Sequence, residues 1–121
     1  MTHEHDPRWM YRQMIDAMVV SCASAGQVSA ERVRVGVWNP DAAEAPEVDT
    51  NQTTMNAILA SLSVDQRQAL AALFAEEYAS GVYNAIQVLT AAGCEPFREG
   101  YDGEPVDDFL GRLDGWEWPT G

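Results

Sequence analysis

From Pro7 onward the apolar side chains recur at helical spacing. Tyr11, Met14, Ile15, Met18 and Cys22 follow at three- and four-residue intervals and form a stripe on one side of a helix, with Arg8, Arg12, Gln13 and Asp16 mostly off it. Asp6-Pro7 suits the start of that helix. An Asp side chain accepts a backbone N–H at the cap, and Pro in the first helical position has no N–H to leave unpaired. Gly26 is the expected stop or bend. Ser29 then caps a short second helix, 30–35, with Gly36 just past its last turn.

Residues 39–49 hold two prolines, four acids and three alanines, a composition that predicts an exposed acidic loop with Trp38 anchoring its root. Thr50 or Asn51 opens the next helix, whose apolar face is Met55, Ile58, Leu59 and Leu62. Ser63-Val64-Asp65-Gln66 is a capping box, in which the Ser hydroxyl and the Gln side chain each satisfy the other's backbone N–H. It starts a helical pattern that keeps phase to Ala92, so one long helix over 64–92 is the predicted spine. Gly81 lies inside it, where Gly costs about 1 kcal/mol against Ala. Close approach of another helix at Gly81 and Ala85 is the expected compensation. Glu77 falls within the apolar stripe of this helix, where an unpaired carboxylate is costly. An ion pair with Arg32 or Arg34 is expected.

Past Gly93 the chain becomes rich in Gly and aromatic residues. Residues 101–105 predict a turn, 105–113 a short helix, and Trp116-Glu117-Trp118-Pro119 an aromatic strap laid on the helical core. The fold class is therefore all-α, with four or five helices and an irregular C-terminal segment. A C-terminal hairpin, which would make the fold α+β, is the second reading. Residues 1–6 form a flexible tail and 7–121 a single helical domain.

Charge changes the picture more than composition does. Nineteen acids face seven bases, for a net −12, and every base is arginine. Residues 1–40 balance; residues 41–49 carry −4, 50–94 carry −2 and 95–121 carry −6. Direct binding to nucleic acid needs clustered Lys or Arg and is disfavoured, as is an anionic membrane surface. No apolar run approaches the ~20 residues that span a bilayer. The polar opening lacks the plan of a secretory signal, so a cytoplasmic location is expected. Cys22 and Cys94 are too few for a disulfide framework and read as buried thiols.

Candidate chemistry is sparse. His3 and His5 are the only histidines, and His-x-His suits a transition metal, but a structural site needs four fixed ligands and a tail fixes none. With no histidine beyond position 5 and no lysine, Ser-His, Cys-His and Schiff-base arrangements lack their parts. No phosphate-binding glycine motif occurs. Paired carboxylates remain, best at Asp107-Asp108 with Asp102 and Glu104 nearby, which would suit Ca²⁺ or Mg²⁺ but match no EF-hand loop. As ordinary structure they form a solvated face and favourable charge at a helix N-terminus.

The run Glu31-Arg32-Val33-Arg34-Val35-Gly36-Val37-Trp38 before the acidic gap resembles a family of small acidic bacterial proteins known only as a domain of unknown function. So do Leu62-Ser63 through Arg67 opening the long helix, and Asp108-Phe109-Leu110-Gly111-Arg112 with Trp116 to Pro119. The resemblance runs from about Tyr11 onward and implies a self-contained helical domain, with no activity, ligand or catalytic residue to transfer.

The leading functional expectation is a non-enzymatic protein that presents its acidic surface to a cationic protein, as an immunity protein or inhibitor would. Its partner-binding residues are Asp41, Glu44, Glu47, Asp102, Glu104, Asp107, Asp108, Trp116 and Trp118. No catalytic residue, metal ligand or cofactor is assigned. A carboxylate-based metal- or ligand-binding domain or enzyme is the second expectation, and a self-associating structural subunit with an exchanged Trp strap the third. A monomer or a homodimer is expected.

Overall fold

A computed structural model describes residues 7–42 and 50–119. Five helices follow in order: α1 (Pro7–Ala23), α2 (Ala25–Val35), α3 (Thr50–Ser61), α4 (Val64–Ala91) and α5 (Pro105–Leu113). No strand occurs among the described residues, so the fold is all-α and the C-terminal hairpin is not formed. The tail at 1–6 and most of the acidic loop, 43–49, lie outside the described residues.

The chain divides into two compact units, Met1–Ala23 with Ala79–Gly121, and Ser24–Tyr78. In the second, Ala30, Val33, Leu59 and Ala71 form a buried core, joined by the half-buried Trp38, Met55, Leu62, Leu70 and Phe74. Removing each large apolar side chain from water stabilises the unit by about 1.5–3 kcal/mol. Trp38 anchors the start of the acidic loop as its sequence position predicts. Its ring lies edge-on to Phe74 with centroids 6.0 Å apart, and the Arg32 guanidinium sits 5.5 Å from its centroid. Asn56 clamps the same turn. Its Oδ1 accepts the backbone N–H groups of Trp38 and Asn39 at 2.7 and 3.0 Å, and its Nδ2 donates to the Asn39 carbonyl at 2.7 Å.

The helix ends follow local chemistry. Ser63 Oγ accepts the Gln66 N–H at 3.1 Å and Gln66 Oε1 accepts the Ser63 N–H at 2.9 Å, the reciprocal pair expected of the capping box. Gly36 closes α2 in the left-handed region at φ 92°, where a side chain is strained.

Helices α2 and α4 depart from three expectations. Helix α2 starts at Ala25, five residues before 30, and Gly26 lies inside it, buried. Gly26 is there for close approach: a Cβ on it would stand 2.8 Å from Cδ1 of Tyr78. Gly81, in the part of α4 that belongs to the first unit, is by contrast exposed and a Cβ on it would meet nothing within 4 Å, while Ala85 is exposed too, so among the described residues no helix packs closely there. Glu77 is exposed and forms no pair with either arginine: Arg34 pairs with Glu31, and Arg32 covers Trp38. An exposed carboxylate keeps its hydration and needs no internal partner.

In the first unit α1 packs on α5, and Tyr11, Ile15, Ile86, Phe97, Val106 and Phe109 are buried. Cys22 is buried, and burial pushes its thiol pKa up; Cys94 is exposed, against expectation, because it follows the turn that ends α4. No helix among the described residues is long and apolar enough to cross a membrane.

Candidate functional site

The first unit gathers most of the polar chemistry. Helix α5 begins with Pro105 in its first turn, and Asp107 Oδ2 accepts the Glu104 N–H at 2.9 Å. Successive helical residues point about 100° apart, so Asp107 and Asp108 diverge. Asp107 faces solvent; Asp108 turns into the core and is 1% exposed. Asp108 Oδ2 accepts the Tyr11 hydroxyl at 2.5 Å and the Tyr101 backbone N–H at 2.8 Å, joining α1, the turn before α5 and α5 itself. Its Oδ1 is buried and has no hydrogen-bond partner among the described residues. Burial, with the hydrogen bond and charge of Asp108, holds the Tyr11 hydroxyl well above its ordinary pKa. Gly100 makes room for the carboxylate, since a Cβ there would lie 2.8 Å from Asp108 Oδ2 and from the Glu104 backbone.

Around this pair, three half-buried arginines hold the C-terminal segment through carbonyls and rings. Arg8 donates to the carbonyls of Glu99 and Gly100, both at 3.0 Å, and lies 4.6 Å from the Tyr101 centroid. Arg12 donates to the Tyr101 hydroxyl at 2.7 Å and to the Pro119 carbonyl at 3.0 Å. Arg112 donates to Asp16 at 2.8 Å and to the Trp116 carbonyl at 2.6 Å. Trp118 packs edge-on to Tyr11 with centroids 5.8 Å apart, and its indole N–H donates to the Asp16 carboxylate. The planar, multi-donor guanidinium is the cation suited to this stacking. The signal available in the sequence was the all-arginine base content.

The sequence-predicted site residues are thus only partly brought together. Asp102, Glu104 and Asp107 are exposed in the first unit, and Asp108 is withdrawn from that surface. Trp116 and Trp118 are half-buried, with ring centroids 5.2 Å apart. Asp41 is exposed in the second unit, at the turn after Pro40, and Glu44 and Glu47 lie outside the described residues. Among the described residues no group of three or more His, Cys, Asp or Glu could hold a metal ion. The carboxylate–tyrosine pair lies under the surface, with Tyr11 0% exposed.

Fold and site together define an all-α protein with an arginine–aromatic clamp beneath an acidic exterior. The chain belongs to a family of unknown function (DUF6547), whose model matches residues 4–120. No curated protein and no solved structure matches it.

Proposed function

We propose that the protein is a non-enzymatic binding protein that offers a carboxylate-rich surface to a cationic protein. The observation that carries this reading is how charge is sorted in the first unit. Seven of the eight acids between positions 95 and 117 are exposed, whereas Arg8, Arg12 and Arg112 are turned onto carbonyls, rings and Asp16. The fourth arginine of this unit, Arg98, is exposed and pairs with Glu95, so three of its four positive charges are used to hold the fold while most of its negative charge is left outside. Such a surface steers an oppositely charged partner and fixes its orientation.

The partner class that fits best is a protein with a nucleic-acid-binding cleft, because such a cleft carries the clustered Lys and Arg that phosphates require. Occupying it would make this chain an inhibitor or immunity protein acting by steric and electrostatic occlusion. A cytoplasmic location goes with this reading and is supported by two free thiols, Cys22 and Cys94, as suits a reducing compartment.

The test is affinity capture from lysate of the source organism at low and high salt, with retained proteins identified by mass spectrometry. A basic protein held at low salt and released at high salt is the expected result. A partner retained equally at both salts would contradict an electrostatic mechanism.

A further inference from the structure

Within the second unit, α2 and α4 enclose a groove of about 390 Å³, lined by Gly26 and Ser29 from α2 and by Leu73, Phe74, Glu77 and Tyr78 from α4. The Tyr78 ring rests against Gly26, closer than a side chain there would allow. Most of the lining is apolar, and Leu73 is 48% exposed beside it. Among the described residues the sole ionisable lining group besides the Tyr78 phenol is the Glu77 carboxylate, exposed one helical turn from Leu73 on the same side of α4. Among the described residues no arginine lines the groove.

An apolar slot with an acidic lip is complementary to an apolar side chain that has a cation one turn away. We infer that this groove anchors a basic amphipathic helix of the protein's cationic partner, with an apolar side chain seated against Leu73 and Phe74 and a Lys or Arg paired with Glu77. Laying an amphipathic helix in a groove is an established mode of recognition, and it reads residues at one-turn spacing. Charge complementarity selects the occupant: a chain of net −12 repels acidic and self-like segments and attracts basic ones. Glu77, exposed and without an ion pair among the described residues, is available to an external cation. The inference rests on the proposed cationic-partner reading and adds to it where the partner is gripped.

Two synthetic helical peptides of equal positive charge separate the two ideas. One carries leucines one turn apart between arginines, and the other has alanines in their place. Binding to the full-length chain is measured by calorimetry, and the contact is mapped by amide shifts of isotope-labelled protein. The leucine peptide should bind about tenfold tighter than the alanine peptide and shift the amides of Gly26, Ser29, Leu73 and Glu77. Leu73→Ala should abolish that preference, and Glu77→Gln should weaken the leucine peptide several-fold; both positions are exposed, so both variants should fold. Equal binding of the two peptides, with shifts confined to 95–117, would overturn the groove assignment and leave the acidic-surface reading standing. Failure of both peptides to bind at low salt would overturn both.

Discussion

Tyr11 and Asp108 lie 97 residues apart in sequence and share a 2.5 Å hydrogen bond in which the phenol donates to the carboxylate. Both side chains are buried, at 0% and 1% exposure, and the same carboxylate oxygen takes the Tyr101 N–H. This latch fixes α1 against α5 and the turn that precedes it. It also positions the exposed carboxylates of that turn, because Asp102 and Glu104 lie between Tyr101 and Asp108 in the chain.

Tyr11→Phe should therefore lower stability by about 2 kcal/mol, since it leaves a buried carboxylate oxygen with one donor in place of two. Asp108→Ala should cost about 3 kcal/mol, because it strands both the phenol and the Tyr101 N–H. Denaturant unfolding followed by circular dichroism measures both. Stability equal to that of the parent chain in both variants would refute the latch.

The same latch predicts an alkaline limit. The Tyr11 phenol is held above its ordinary value of 10.0, chiefly by burial and next by its hydrogen bond to Asp108. Around and above that pH the unfolded chain loses this proton while the folded chain keeps it. Stability is then fully present below about pH 10 and falls as pH rises beyond it. Unfolding midpoints at about pH 9 and about pH 11 should drop further for the parent chain than for Tyr11→Phe. Equal drops would show that Tyr11 is not the group responsible.

Two glycines in helices should respond in opposite directions. Gly81→Ala should stabilise by about 1 kcal/mol, because the site is exposed and helical and a Cβ meets nothing within 4 Å. Gly26→Ala should destabilise by about 1–2 kcal/mol despite the same gain in helix propensity, because the new Cβ would stand 2.8 Å from the Tyr78 ring. Thermal melts of the two variants give the signs directly. A rise in melting temperature for Gly26→Ala would mean that Tyr78 does not pack on α2.

These glycines also show how far the sequence was legible. The capping box at Ser63 and the phase of the stripe to Ala92 are local, and they located α4 to within a residue. Gly26 looked like a helix stop because glycine commonly is one. Its actual reason, the Tyr78 ring, lies 52 positions away and leaves no local trace. Asp107-Asp108 looked like one feature because the two are adjacent and chemically identical, yet a helix turns neighbours apart. The clue was present in the phase: Pro105, Asp108 and Phe109 fall at i, i+3 and i+4, and all three are buried. Glu77 failed in the opposite sense, since an apolar stripe along a 28-residue helix need not be covered along its whole length.

The central claim is that the exposed carboxylates of the first unit bind a cationic protein, and its most direct test is a titration of the captured partner. The comparison sets the parent chain against a variant with Glu99, Asp102, Asp114 and Glu117 changed to their amides, positions chosen to spare the Asp107 cap and the Asp108 latch. The account predicts that neutralisation weakens the complex about tenfold or more at about 50 mM salt, and that the difference shrinks as salt screens the charges. Equal affinity of the two proteins at every salt concentration would contradict it.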